Sequence, residues 1–522
     1  MASALDLEVF EALFAAVAEE MGICLMQAAF SPNIKERRDF SCAVFDAAGA
    51  MVAHAAHIPV HLGSTPLSVE FARKLRPMGP GDMVILNDLF HGGTHLPDIT
   101  LVAPVHVRGK PSFFVANRAH HADVGGIKPG SMALAREIYQ EGLRLPPVRL
   151  VRGGRVAEDV LDIVLTNVRT PEERRADLQA QIAANLRGAA RLAELAARYG
   201  VARLQRAARD LCDWGERLVR AMLGTIRKGT FRFRDRLDDD GAGGGPVSLA
   251  VAITIEKERA RVDFTGSAAQ VPGPMNANLA ITRSAVFYAF RCLLEQAAPS
   301  NAGIFRPIAI VAEEGSVVNA RAPAAVAAGN VETSQRIVDV LFGALAKACP
   351  ERVPAASQGT MNTLPLGGVD QLGRPYTYSE TLGGGAGASA THDGASGLQV
   401  HMTNTLNTPI EALEAAYPLR VNRLHLRRGS GGAGARRGGD GIVREIVVLT
   451  RAEVALLGER RTQPPPGLQG GRPGACGRDV MIRAGRVRRI PGKYEATLEP
   501  GDAVRIASPG GGGHGRQKRR ER

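Results

Sequence analysis

Apolar residues recur at helical spacing near the start of the chain, at Leu7, Phe10, Leu13, Phe14, Val17 and Met21, and predict a first helix over 7–30. The period then changes. SCAVFDAAGAMVAHA (41–55) alternates about an Asp46-Ala-Ala-Gly49 turn and predicts a hairpin. A helix is expected from Thr65 to Leu75, stopped by P-M-G-P-G-D, and then a buried strand over 82–87. LVAPVHVRGKPSFFVANRA (101–119) alternates about a central R-G-K turn, which reads as a second hairpin. The pattern over 171–226 is helical, broken near Tyr199-Gly200. It opens on Thr170-Pro171-Glu172-Glu173: a cap, a proline at the first helical position and acids in the first turn. VSLAVAITIEKERARVDFTGSA predicts a further hairpin, 281–294 a helix, and the 329–335 segment caps another helix reaching Ala348. Residues 355–440 are glycine-rich and lack periodicity, so they are expected as loops pinned by packing. IVREIVVL, EVALLGER, DVMIRA and AVRIAS then predict strands.

These elements imply an α+β (mixed α/β), multi-domain chain. The divisions expected are an N-terminal α/β domain (1–170), a helical insert (171–237), a central α/β and glycine-rich segment (247–440), a β-rich C-terminal unit (441–510) and a basic tail (511–522). DDDGAGGGP (238–246) reads as a linker. The tail, GGGHGRQKRRER, has no apolar residue to bury and is expected to be disordered.

Composition narrows the class. At 522 residues and 45% hydrophobic content, with no run of eighteen apolar residues, the chain reads as soluble and globular. Its N-terminus lacks the basic and apolar regions of a secretory signal, so a cytoplasmic location is expected. Six scattered cysteines without a C-x-x-C are expected to be reduced thiols. The net charge of +13 raises nucleic acid as a partner. Only nine of the 65 basic residues are Lys, Arg is interleaved with acids, and aromatics are 5%, so stacking platforms are scarce. Neither nucleic acid nor a membrane is expected as a partner.

Candidate chemistry concentrates in one window. Eight of the twelve histidines lie between His54 and His121. His95 and Asp98 form H-x-x-D, and His120-His121-x-Asp123 follows one hairpin later, so the fold-back brings the two groups together. Two imidazoles with a carboxylate suit Zn²⁺, Mn²⁺ or Fe²⁺ and leave coordination positions open. Any one of these histidines could be an ordinary polar residue at a strand end; their clustering among Gly, Pro and Asn favours a metal site. His57 and His61 flank a β-branched stretch nearby. No G-x-x-x-x-G-K-[ST] is present. The G-x-G-x-x-G at 429–434 lacks a strand-to-helix context, 263–267 is half of an actin-type phosphate loop at most, and no G-x-S-x-G occurs.

Asp39-Phe-Ser-Cys-Ala, His57-Ile-Pro-Val-His-Leu-Gly63, the blocks at 81–88, 93–99 and 117–123, Glu141-Gly-Leu-Arg-Leu-Pro-Pro, Asn276-Ala-Asn278 and 329–335 together resemble the hydantoinase B/oxoprolinase family. The resemblance covers nearly the whole chain. It implies a B-type subunit of an ATP-dependent cyclic amide hydrolase, opening hydantoin, N-methylhydantoin or 5-oxoproline rings. An A-type partner subunit would bind ATP and phosphorylate the carbonyl oxygen, and this chain would attack the activated ring with metal-bound water. By motif, the ligands fall on His95, Asp98 and His120, with Zn or Mn expected. His121 and Asp123 would stand behind them or move protons, with His57 and His61 lining the same pocket. His91 and Glu332 could be functional or structural. A ketone carboxylase subunit with the same metal and partner is the alternative, and a non-catalytic scaffold a third reading. The helical insert and the C-terminal strand edges are the surfaces expected to meet the partner in a hetero-oligomer.

Overall fold

A computed structural model describes residues 4–55, 58–75, 77–294 and 298–517. Helix α1 (Ala4–Ala28) buries Phe10, Phe14, Val17, Met21 and Leu25 along one stripe, as its spacing requires. After the short α2 (Pro32–Lys35), β1 (Phe40–Asp46) and β2 (Met51–His54) form the first hairpin, and α3 (Thr65–Leu75) follows. With β3 (Met83–Leu86), β4 (Asp98–Val107), β5 (Lys110–His120), β6 (Val148–Arg152) and β7 (Arg155–Val156) they build a seven-stranded sheet in the order β2-β1-β5-β4-β3-β6-β7. The β4–β5 turn places both Arg108 and Gly109 at positive φ (52° and 77°), the backbone of the tight turns that match strand twist.

Helix α4 (Glu158–Thr166) leads into α5 (Pro171–Tyr199) and α6 (Val201–Thr225). Pro171 and the acids occupy the first turn as the sequence predicts, but the Thr170 side chain caps nothing; its buried hydroxyl has no partner. Helix α5 lies across the sheet beside α1. Gly188 allows this closeness, since a Cβ there would sit 2.4 Å from the Met21 sulfur. Phe40, Cys42 and Val44 of β1 enter the core beneath these helices, while Ala43 and Phe45 enter a second core on the opposite face.

That second core is closed by a four-stranded sheet of β8 (Gly229–Leu237), β9 (Val247–Glu256), β10 (Arg259–Asp263) and β11 (Ile308–Val311), with α7 (Leu279–Arg291) and α8 (Ser334–Leu345). A single π-helical turn, Gly329–Thr333, feeds α8. The segment read as a linker is docked instead: Asp238 and Asp240 are buried, and Asp238 accepts the Arg461 N–H and the Thr462 hydroxyl, both at 2.6 Å.

The remaining residues form two more sheets. One is β12 (Leu364–Val369), β13 (Pro375–Glu380), β16 (Ala452–Leu457) and β19 (Lys493–Leu498). The other is β14 (Leu419–Arg427), β15 (Gly441–Val448), β17 (Arg478–Arg483), β18 (Arg486–Ile490) and β20 (Ala503–Ala507). The stretch expected as loops thus holds the β12–β13 hairpin, α9 (Ile410–Ala416) and β14. Between the sheets lies a layer of glycine backbone on glycine backbone, from segments 383–394, 430–441, 467–474 and 509–515. Gly511 N donates to Gly439 O (2.9 Å), Gly512 N to Ala356 O (2.8 Å) and Gly513 N to Arg472 O (2.9 Å). The expectation of a disordered tail is therefore corrected for 511–515: these residues need no apolar side chain, because main-chain bonds hold them. Residues 518–522 lie outside the described residues.

Candidate metal centre

Strands β4 and β5 pair with Asp98 opposite His120, so both side chains leave the same face of the sheet. His95 arrives from the loop before β4. Gly92 lets that loop turn at φ 91°, where a Cβ would sit 2.5 Å from the Ser68 nitrogen. Two amides hold the loop: Asn278 Nδ2 donates to Leu89 O and Gly93 O (3.1 and 2.8 Å), and Asn87 Nδ2 donates to Leu96 O (2.7 Å). The result is that His95, Asp98 and His120, all buried, place one donor atom each within 4.8 Å of one another.

Each ligand candidate is held from behind. His61 Nε2 lies 3.5 Å from Asp98 Oδ2, and its Nδ1 lies 2.8 Å from the Ser41 hydroxyl. The Thr94 hydroxyl also donates to Asp98 Oδ2. Asp98 Oδ1 lies 3.3 Å from His95 Nε2. Asn33 Nδ2 lies 3.2 Å from His120 Nδ1, leaving Nε2 as that ring's other donor atom. Burial opposes ionisation of Asp98, but the adjacent His95 and His61 hold its carboxyl well below the usual carboxylate range. Burial, followed by the His95 charge, pushes the His120 imidazole well below its usual value; burial likewise lowers His61. Anionic carboxylate and neutral imidazole are the forms that bind a cation.

The set fits a divalent ion on one further observation. The Nδ1 of His95 has no hydrogen-bond partner, although the residue is fully buried, and its Nε2 has only Asp98 Oδ1 at 3.3 Å. Such a ring is costly to leave unsatisfied, and an ion among the three donors would engage it. The cluster opens into a narrow cleft. Its walls come from Arg37, Asp39 and Val60, from Asn330 and Val331 of the π turn, from Met361 and Thr363 before β12, and from Ser379, Thr381 and Met402. The donors thus sit where the first sheet meets the π turn and the third sheet.

The family model of hydantoinase B/oxoprolinase matches residues 3–517. The chain belongs to the hydantoinase B/oxoprolinase family. It is 40% identical to 5-oxoprolinase 1 of Arabidopsis thaliana over 99% of this chain and 42% of that protein. It therefore spans about two-fifths of that relative's length. The B component of a putative D-/L-hydantoinase from a Pseudomonas species is 30% identical, over 97% of this chain and 88% of its own. The crystal structure of an ATP-dependent caprolactamase from Pseudomonas jessenii superposes with a TM-score of 0.92 at 29% identity, covering 99% of this chain and 92% of that one.

Within this hydantoinase B/oxoprolinase chain the expected site residues separate. His95, Asp98, His120 and His61 converge. His121 does not: side chains alternate along a strand, and it emerges on the α5 face, with Nε2 3.0 Å from Gln181 Oε1. Burial and the nearby Arg174 push its imidazole down to about 4. Asp123 clasps the next loop, accepting N–H groups of Gly125, Gly130 and Arg169 and the Arg169 guanidinium (2.9–3.1 Å). His57 lies outside the described residues. His91 is part-exposed and paired with Asp88 at 2.8 Å, away from the cleft. Glu332 lies behind the Asn330–Val331 wall and accepts Met361 N–H (3.1 Å); burial pushes its carboxyl up to about 8. Sequence reasoning missed Asn33 and Arg37, which sit in SPNIKERRDF, a stretch without a motif or a clear period.

Proposed function

We propose that this chain is the ring-opening component of an ATP-dependent cyclic amide hydrolase, acting on a ring activated by an A-type ATPase subunit. The convergence of His95, Asp98 and His120 at the base of one cleft carries the reading. The names of the relatives, a 5-oxoprolinase, the B component of a hydantoinase and an ATP-dependent caprolactamase, support the substrate class. A Zn²⁺ or Mn²⁺ ion in the cluster would lower the pKa of a water toward ~7 and supply the nucleophile. Ser41 orients His61, and His61 with Thr94 fixes Asp98 so that one carboxylate oxygen faces His95. Asn33 fixes the His120 ring. Val60, Val331, Met361 and Met402 give the cleft apolar walls that limit access of bulk water to the reacting ring.

An unactivated lactam resists attack because nitrogen donation stabilises its carbonyl, and the chain carries no phosphate-binding loop sequence of its own. The purified chain should therefore neither hydrolyse ATP nor open 5-oxoproline or hydantoin, and both activities should appear when an A-type subunit is added. Robust ATP hydrolysis by this chain alone would sink the division of labour. ATP-dependent uptake of labelled bicarbonate with a ketone, in place of ring loss, would establish the carboxylase reading instead.

A further inference from the structure

The cleft contains a cation that its surroundings do not satisfy. Arg37 is 1% exposed and lines the cleft beside the three donors. Its two terminal nitrogens donate to neutral groups: Nη1 to Ser379 O (2.5 Å) and Asn33 Oδ1 (3.2 Å), and Nη2 to the Thr381 hydroxyl (3.2 Å). Its Nε–H, also buried, has no partner. Its ion pair among the described residues is with Asp39, at the long distance of 3.9 Å. A second guanidinium, Arg118, lies beneath the site and is held by the hydroxyls of Ser64, Ser68 and Thr100 and by Gly92 O. Two buried arginines thus face Asp39 and Asp98 before any metal ion is added, and a divalent ion would leave the pocket with net positive charge. Buried charge without a close counter-charge is costly, so an arrangement of this kind points to an anion that arrives with the ligand.

We propose that Arg37 is the oxyanion subsite of this cleft: its Nε–H binds an oxyanion carried by the substrate, next to the His95–Asp98–His120 cluster. The inference rests on the reading of the cleft as a substrate site and adds the charge of the substrate. Two sources share the required chemistry, a carboxylate on the ring and a phosphoryl group on the activated carbonyl. Asp39 competes with either for the same guanidinium. Removing its charge should therefore strengthen binding while Arg37 is present and by less in an Arg37→Lys background, a coupling that a merely structural Arg37 would not produce.

The test is calorimetric titration of the full chain, without ATP or partner, using inorganic phosphate, 5-oxoproline and neutral 2-pyrrolidinone. Arg37→Gln should weaken oxyanion binding about tenfold or more, Arg37→Lys less, and Asp39→Asn should tighten it several-fold. Far-UV circular dichroism checks the fold of each variant, and the Asp39→Asn arm stands even if Arg37→Gln does not fold. Loss confined to 5-oxoproline, with 2-pyrrolidinone unchanged, assigns the subsite to a ring carboxylate. Loss of phosphate binding, with both ring compounds unchanged, assigns it to the phosphoryl group. Oxyanion binding that is absent from the wild-type chain, or unmoved by all three substitutions, overturns the proposal. A chain that shows the expected pattern yet opens no ring with an A-type subunit would defeat the hydrolase reading and leave this one standing.

Discussion

At Asp98 burial and charge pull in opposite directions, and charge prevails because His95 and His61 lie at 3.3 and 3.5 Å. Replacing Asp98 by Asn, or His95 by Ala, should abolish stoichiometric binding of zinc or manganese, measured by elemental analysis after gel filtration, with the far-UV spectrum unchanged. His121→Ala should keep the ion and lose about 1–3 kcal/mol of stability, since it leaves the buried Gln181 carboxamide short of a partner. Glu332 supplies a pH signature. Its carboxyl stands at about 8 against an ordinary 4.5, so between these values the folded chain holds a proton that the unfolded chain has released. The stability this contributes is full below pH 4.5 and lost as pH rises through about 8. Glu332→Gln cannot ionise, so its thermal midpoint should gain on wild type by the equivalent of a few kcal/mol (about 1.4 per pKa unit) over that interval. Parallel curves would refute the assignment. The convergence of His95, Asp98 and His120 was legible because a hairpin with a tight turn fixes which residues face each other. His121 was separable in principle by the same alternation. Arg37 and Asn33 were not, because nothing local distinguishes a buried guanidinium from a solvated one.

Elements with a clean period were read correctly: α1, α3, the β1–β2 and β4–β5 hairpins, and the α5–α6 pair with its break at Gly200. What escaped has a common cause. Strand β12 is Leu-Pro-Leu-Gly-Gly-Val and β18 is Arg-Val-Arg-Arg-Ile, so proline, glycine and exposed arginine erase the alternation on which a strand is recognised. The glycine layer is invisible for a stronger reason: its stability resides in main-chain groups, and hydrophobic patterning carries no record of them. A Cβ on Gly511 would sit 2.0 Å from Ala386 O, and on Gly438 it would sit 2.0 Å from Gly511 O. Gly511→Ala should therefore cost about 3 kcal/mol in denaturant melts. Truncation after Gly510 should abolish soluble expression, not leave activity intact as a dispensable tail would.

Across the whole molecule, buried ion pairs join the sheets. Glu459 bonds Lys493 and Arg336 and accepts the Asp238 N–H; Arg460 bridges Asp235 (2.7 Å) and Asp339 (2.5 Å); and Arg461 pairs with Asp479 at 2.8 Å. An acidic, glycine-rich run such as 238–246 normally stays in water, and its partners here lie more than two hundred residues downstream. That separation is why the sequence reads as a linker. Glu459→Ala would leave Lys493 only the longer pair with Asp239 (3.6 Å) and Arg336 only Asp339 (3.3 Å) and Asp235 (3.7 Å), and should cost about 3 kcal/mol, read by chemical denaturation. No described helix is long and apolar enough to cross a membrane.

The glycine layer also sets a timetable. A ribosome delivers segments 383–394, 430–441 and 467–474 well before 509–515, yet the later segment donates and accepts hydrogen bonds with all of them through Pro509 O, Gly511, Gly512 and Gly513. Until it emerges, the earlier stretches have one another, as in Gly439 N–H to Ala386 O (2.9 Å) and Gly394 N–H to Arg437 O (2.8 Å), but the groups they turn toward 509–515 lack their partners. The nascent chain must therefore carry a half-laced middle while its first sheet is already able to fold, and the layer is completed only when 509–515 has been made.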